Sequence, residues 1–207
     1  MRIAVYFLTA VLSLCTFSCS KGYLTEKELK KYVLDESNGL RKSIHQGDYT
    51  VDAIYRPADL LVLQEMGKST PDSAMLKKLY GKYGSHYYFI LNISKNGKEA
   101  VNPAAIPGDE FSEVLQNVSF RMGEFVNMTT ARQDTIPLAD FIYNRTFGMS
   151  SSSEILLVFD KEKDKDTDWL QINLAELGLG IGLQNFRFEK DKLEHAPRID
   201  FKEILKK

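Results

Sequence analysis

Apolar residues recur at every second position in runs spread from residue 49 onward, and that period predicts half-buried β-strands. The clearest run is Tyr87, Phe89, Leu91 and Ile93, closed by the turn Lys95-Asn96-Gly97-Lys98. Tyr49, Val51, Ala53 and Tyr55 repeat the pattern, and Gln46-Gly47-Asp48 joins them as a hairpin to residues 40–45. Alternation over Val118, Phe120 and Met122, over Phe141, Tyr143, Arg145 and Phe147, over 154–159, over Leu170, Ile172 and Leu174, and over Phe186 and Phe188 predicts further strands. Short links between them favour antiparallel pairing, because a parallel crossover needs a dozen residues or more.

Helical signals are concentrated earlier. Thr25 and Glu28 have the spacing of a capping box. They predict a helix over 26–36, with Leu29, Tyr32 and Val33 facing inward and Asn38-Gly39 ending it. Pro57 suits the start of a helix over 58–66, Pro71 one over 72–80, and 109–116 reads as a short fourth. The expected fold is α+β: mainly antiparallel β-sheet or a β-sandwich, with two or three short helices in the N-terminal half. A chain of 207 residues, 43% hydrophobic, supports one core without disulfides or a metal. Residues 26–207 read as a single α+β domain, with 102–108 as the place for an internal boundary.

The amino terminus has a different character. The apolar run from Ile3 to Leu14 follows Arg2, and its twelve residues span about 18 Å as a helix, short of the ~30 Å hydrocarbon core. That length, the basic start and the small residue Ser18 fit an export signal over 1–18. The chain's two cysteines, Cys15 and Cys19, both lie at this boundary, so the body of the domain holds none for disulfides. Thr16-Phe17-Ser18-Cys19 resembles the lipobox of Bacteroidota-type bacterial lipoproteins. The resemblance covers the signal alone and implies cleavage before Cys19, acylation of its thiol, and a short tether over 19–25. Two or more acyl chains hold a protein stably on a membrane. In lipoproteins of that type surface export goes with acidic residues just after the cysteine; here the first acid is Glu26, so the resemblance implies the periplasmic face of the outer membrane rather than the cell surface.

Motifs that carry chemistry are few. Asp164, Asp166 and Asp168 alternate as calcium ligands do, but Trp169 and Ala175 stand where an EF-hand needs Gly and Glu, so a solvated hairpin tip is the simpler reading. Gly178-Leu179-Gly180-Ile181-Gly182 lacks the flanking elements and spacing of a phosphate loop and reads as a flexible turn or bulge. His45, His86 and His195 are far apart and read as surface or strand-end residues. No serine elbow is present. Tyr80, Tyr83, Tyr87 and Tyr88 cluster in a way that suits a ligand surface, with Tyr87 also a core candidate. Ser73 and Thr135 each follow an Asp and precede an apolar residue, a pattern that resembles the O-glycosylation acceptor of Bacteroidota-type proteins.

With 27 basic and 28 acidic residues the chain lacks the electrostatic footprint of a nucleic-acid binder. The sequence implies no cofactor and no catalytic residues. The expectation is a non-catalytic envelope lipoprotein, held on the membrane by its N-terminal lipid, that serves as an accessory or assembly subunit binding another envelope protein. The alternative is a carbohydrate- or small-ligand-binding lipoprotein that uses the tyrosine-rich surface.

Overall fold

The computed structural model describes residues 23–67, 72–106, 108–161 and 167–201. Cys19, Asp164 and Asp166 lie outside them. Strand β1 (Tyr23–Leu24) leads into helix α1 (Glu26–Leu34) through the expected capping box. Thr25 Oγ1 accepts the Glu28 N–H, and the Glu28 carboxylate accepts the Thr25 N–H at 2.9 Å. Leu29 and Val33, one turn apart, are buried. The helix stops sooner than its pattern predicts, because Asp35 caps a new 3-10 turn, Glu36–Asn38, which Gly39 closes at φ 78°.

Strands β2 (Arg41–Gln46) and β3 (Tyr49–Tyr55) form the predicted hairpin. Helices α2 (Ala58–Met66) and α3 (Ser73–Tyr83) follow, then the central strand β4 (His86–Lys95) and the short β5 (Lys98–Glu99) folded back on it. Next come α4 (Gly108–Phe120), α5 (Met122–Phe125), β6 (Val126–Thr130), β7 (Thr135–Pro137), β8 (Asp140–Asn144) and β9 (Ser153–Asp160). The order ends with β10 (Trp169–Leu174), β11 (Gln184–Glu189), α6 (Lys190–Glu194) and β12 (Arg198–Ile199).

One sheet runs β2-β3-β4-β9-β8 with β5 paired to β4, the other β11-β10-β6-β7, and every pair in both is antiparallel. β1 pairs in parallel with β12, Tyr23 opposite Arg198. The fold is α+β and mainly antiparallel β, with α1, α2 and α3 in the N-terminal half.

Alternation along β4 decides what each face meets. Tyr87, Phe89, Leu91 and Ile93 are buried on one side, where the Phe89 ring lies 5.0 Å from Phe188 of the second sheet. Burying a phenylalanine fully is worth roughly 1.5–3 kcal/mol. Tyr88 points to the opposite face and packs with Leu61 of α2 and Val158 of β9.

Three strand expectations need correction. Val118, Phe120 and Met122 are helical: Val114, Asn117 and Val118 line the buried face of α4, while Phe120 is exposed. Val118 lies near the end of α4 and Met122 opens α5 beyond Arg121, and both are buried. The strands β6 and β7 have weak patterns. In β6, Val126, Met128 and Thr130 are buried at period two. Pro137 is tolerated in β7 because that strand is a sheet edge. Finally, β8 ends at Asn144, so Arg145 and Phe147 lie beyond it.

The glycine-rich run is closed, not flexible. Glu176 Oε1 accepts N–H groups from Gly178 at 2.8 Å, Leu179 at 2.6 Å and Gly180 at 2.9 Å, and Oε2 accepts that of Gly182. Gly178, Gly180 and Gly182 have φ of 95°, 73° and 67°, while Leu179 and Ile181 between them are buried. The chain's own carboxylate thus fills a backbone concavity suited to an anion. Burial by itself raises the Glu176 pKa, but the four N–H groups outweigh it and hold the carboxyl below its usual range. A depressed folded pKa contributes stability above the unfolded value of about 4.5, lost as pH falls through the folded one. Glu176→Gln is therefore expected to flatten the fall in urea-unfolding stability below about pH 4.5; wild-type and variant curves that stay parallel there would contradict the clamp.

Candidate functional site

Polar groups converge at opposite ends of the six-stranded sheet. β4 has ten residues, so the ends are about 30 Å apart. The His86 end carries Asp59, β12 and β1, and the Lys95 end carries Glu99 and the loop after β8.

At the Lys95 end, Glu99 is 1% exposed, yet among the described residues no cationic side chain pairs with it. Its Oε1 accepts the Thr146 N–H at 3.4 Å and its Oε2 accepts the Gly148 N–H. Burial, followed by repulsion from Glu99, pushes the Tyr143 pKa up. The two backbone bonds hold a turn in which Phe147 has φ 55° and Gly148 φ 84°. A bulky residue in the left-handed region is strained, and such strain persists only where the surroundings impose it. A Cβ at Gly148 would stand 2.5 Å from Asn102 Nδ2, so that position admits only glycine without a shift. The outcome is a projection: Phe147 is 70% exposed and Met149 85%. Arg145 stacks between the Phe147 ring, 4.5 Å away, and Phe111. Lys95, Lys98, Glu99 and Asn102 line a cavity of about 340 Å³ beside it.

At the His86 end, Asp59 is buried at the start of α2. Its Oδ1 accepts the Tyr80 hydroxyl at 2.9 Å, its Oδ2 accepts the Ile199 N–H at 2.6 Å, and Arg198 Nε lies 3.6 Å from Oδ1. Arg56 bonds Gln64, and the cation beside Asp59, Arg198, comes from the far end of the chain. A cleft of about 250 Å³ opens beside this junction, walled by Tyr55, Asp59, Tyr80, Lys161, Glu194 and Arg198. Burial, then repulsion by Asp59, pushes the pKa values of Tyr55 and Tyr80 well up.

The four predicted tyrosines do not share an exposed face. Tyr87 and Tyr88 are buried on opposite sides of β4, as strand alternation requires. Tyr83 bonds Glu65 and meets the Tyr88 ring edge-on at 66°. Tyr80 alone among them lines the cleft. Ser73 is exposed at the first position of α3, after its cap Asp72, and Thr135 is exposed at the start of edge strand β7. Asp168 is exposed, and among the described residues no three His, Cys, Asp or Glu side chains stand close enough to hold a metal ion. No helix among the described residues is long and apolar enough to cross a membrane.

Sequence reasoning missed one arrangement. Ser85 Oγ lies 2.9 Å from His86 Nδ1, and His86 Nε2 lies 3.1 Å from Asp160. Nucleophile, base and carboxylate thus stand in order, but Ser85 is on open surface and neither cavity above is lined by any of the three. His86 opens β4, as a strand-end histidine does. Glu99 was also missed, because it becomes distinctive only through Thr146 and Gly148, 47 and 49 residues away.

No family model matches the chain, and no curated protein matches it. Similar solved structures include a DUF4426 family protein from Pseudomonas aeruginosa PAO1, 12% identical, with a TM-score of 0.35 over 73% of this chain and 93% of that one. Another is a protein of unknown function from Burkholderia pseudomallei K96243, 11% identical, with a TM-score of 0.39 over 82% and 88%.

Proposed function

We propose that this chain is a non-catalytic, lipid-anchored accessory subunit of the outer-membrane periplasmic face, which presents the Phe147–Met149 projection to another envelope protein. The observation that carries the reading is a strained aromatic held in the open by a buried carboxylate. Among the described residues no element covers Phe147 and Met149, and contiguous exposed apolar surface is what interaction sites present. Arg145 and Lys98 beside them fit a partner whose apolar recess has an acidic rim.

The direction of the projection supports a protein partner over lipid. The segment between Cys19 and Tyr23 reaches at most about 14 Å when extended. An acylated Cys19 would keep the β1 end of the sheet near the membrane, with the projection about 30 Å farther out.

Two substitutions test the parts separately. Cys19→Ser is expected to move the protein from the membrane fraction to the soluble one and to abolish palmitate labelling. Phe147→Ser with Met149→Ser is expected to leave the melting temperature within about 2 °C, since both side chains are already solvated. In detergent-solubilised membranes the same pair should lose, at least tenfold, a partner that the wild type retains. Equal recovery by both forms would sink the proposed surface.

The second reading, a carbohydrate- or small-ligand-binding lipoprotein, is favoured by the cleft that Tyr80 shares with Tyr55. It no longer rests on Tyr83, Tyr87 and Tyr88.

A further inference from the structure

The outward face of the second sheet is built from residues that strands do not favour. In β6, β10 and β11 one set of alternate positions is buried and the other faces solvent. The outward set places Asn185, Asn173 and Asn127 side by side on three neighbouring strands. Arg187, Gln171 and Thr129 form the adjacent row, about 7 Å along the strands. Asparagine is depleted in strands, because its side chain competes for backbone hydrogen bonds. Threonine or a charged residue fills a solvent-facing strand position at less cost, and 27% of this chain is charged. Three facing asparagines outside the core therefore oppose local propensity without a packing gain, and departures of that kind concentrate at functional surfaces.

The side chains of this face are fixed by one another. Arg187 Nε and Nη2 donate to Gln171 Oε1 at 3.2 and 3.0 Å, and Gln171 Nε2 donates to Asn173 Oδ1 at 2.8 Å. Asn173 Nδ2 donates to Asn127 Oδ1 at 2.9 Å and to Thr129 Oγ1 at 3.2 Å. The Arg187 guanidinium lies 4.0 Å over the Trp169 ring. These bonds leave a defined remainder. Among the described residues no acceptor takes the Asn127 Nδ2 or Thr129 Oγ1 protons, and the Asn185 amide has no partner. The engaged groups thus set the direction of the free ones, which lowers the cost of ordering them around a ligand.

The chemistry of the face selects its occupant. Arg187 and Glu189 are the charged outward residues of β6, β10 and β11, and their charges cancel. An uncharged face complements an uncharged ligand and gives no grip on nucleic acid or an acidic lipid. No outward position of these three strands holds an aliphatic residue, so the face lacks the apolar centre of a protein interface. Fixed amides and a hydroxyl beside an indole match a ligand rich in hydroxyl groups. Strands lie about 4.8 Å apart, close to the length of one hexose unit in an extended chain.

We propose that the outward face of β6, β10 and β11 binds a neutral oligosaccharide laid across the strands. Asn127, Thr129 and Asn185 hydrogen-bond its hydroxyls, while Gln171, Asn173 and Arg187 hold those groups in place. The site is separate from the Phe147 projection and from the Tyr80 cleft, and it adds a ligand without replacing the protein partner.

Trp169 is the chain's single tryptophan, so its fluorescence reports on this face. Full-length protein in a non-glycosidic detergent is titrated with cellohexaose, maltohexaose and N-acetylchitohexaose, read by Trp169 emission and by calorimetry. A galacturonic acid hexamer is the acidic comparison. The variant is Asn127→Thr with Asn173→Thr, which puts a better strand former at each position and should melt no lower than the wild type. At least one neutral hexasaccharide should bind the wild type saturably, and the variant should bind it at least tenfold more weakly. Equal binding by both forms places the sugar elsewhere and overturns the site. Preference for the acidic hexamer overturns the neutral ligand, and no signal from any neutral probe by either readout overturns the proposal as a whole.

Discussion

Asp59→Ala is expected to lower the unfolding free energy by about 3 kcal/mol and the melting temperature by roughly 6–12 °C. The Asp59 side chain joins three parts of the chain that are distant in sequence: the start of α2, Tyr80 of α3 and the strand β12. With alanine there, the buried Ile199 N–H and the half-buried Tyr80 hydroxyl both lose their acceptor. Each unsatisfied group costs about 1–3 kcal/mol. Asp59→Asn keeps the shape and one carbonyl acceptor, so it should cost less than half as much. The loss should also be local. β12 holds β1 through a two-residue ladder and Asp59 through one backbone bond. Amide exchange at Ile199 and Leu24 should therefore rise before exchange in β4. Equal stability of Asp59→Ala and wild type in urea would show that the buried carboxylate is not the tie inferred from its contacts.

Glu99→Ala is the second large expectation, at about 2–3 kcal/mol, and it should act on shape as well as stability. Its carboxylate is the acceptor for the N–H groups of Thr146 and Gly148. Without it, nothing offsets the strain of a left-handed Phe147, and the turn should relax toward ordinary β or helical backbone. The measurable sign is a pair of changes: a melting temperature lower by roughly 4–12 °C, and faster proteolysis confined to 145–150. Replacement by Gln is informative as a control. Its carbonyl still accepts one N–H while its NH₂ opposes the other, so the loss should fall between wild type and alanine. If Phe147 kept its backbone conformation in Glu99→Ala, judged by its chemical shifts, the clamp would not be what positions the projection.

These two carboxylates share a property with Glu176. Each is an acid whose carboxylate accepts at least one backbone N–H and ties down the segment that carries it. Glu176 acts on its own loop, so a reader of the sequence can see the acid and the alternate glycines side by side. The need for glycine at 178, 180 and 182 comes from positive φ, which lets all four N–H groups turn inward. What the local pattern does not reveal is the direction of those groups, and without that the run looks flexible. Asp59 and Glu99 give still less notice, since their partners lie far along the chain.

The sequence by itself determined the elements whose physics is local. The capping box at Thr25, the α2 helix after Pro57, the β2–β3 hairpin and the alternating central strand follow from hydrogen bonds and side-chain periods within a few residues, and so does the α+β class. Only the tertiary structure decided which way the second half folded where two periods competed, as at Val118 and Met122, where burial against the sheets favoured the helix. It also decided that Tyr87 and Tyr88 are buried on opposite faces, that Tyr55 and Arg198 meet at one cleft, and that Phe147 stands exposed. Those outcomes depend on strand register and on contacts spanning much of the chain, and residues brought together that way carry no mark of it in their own neighbourhood.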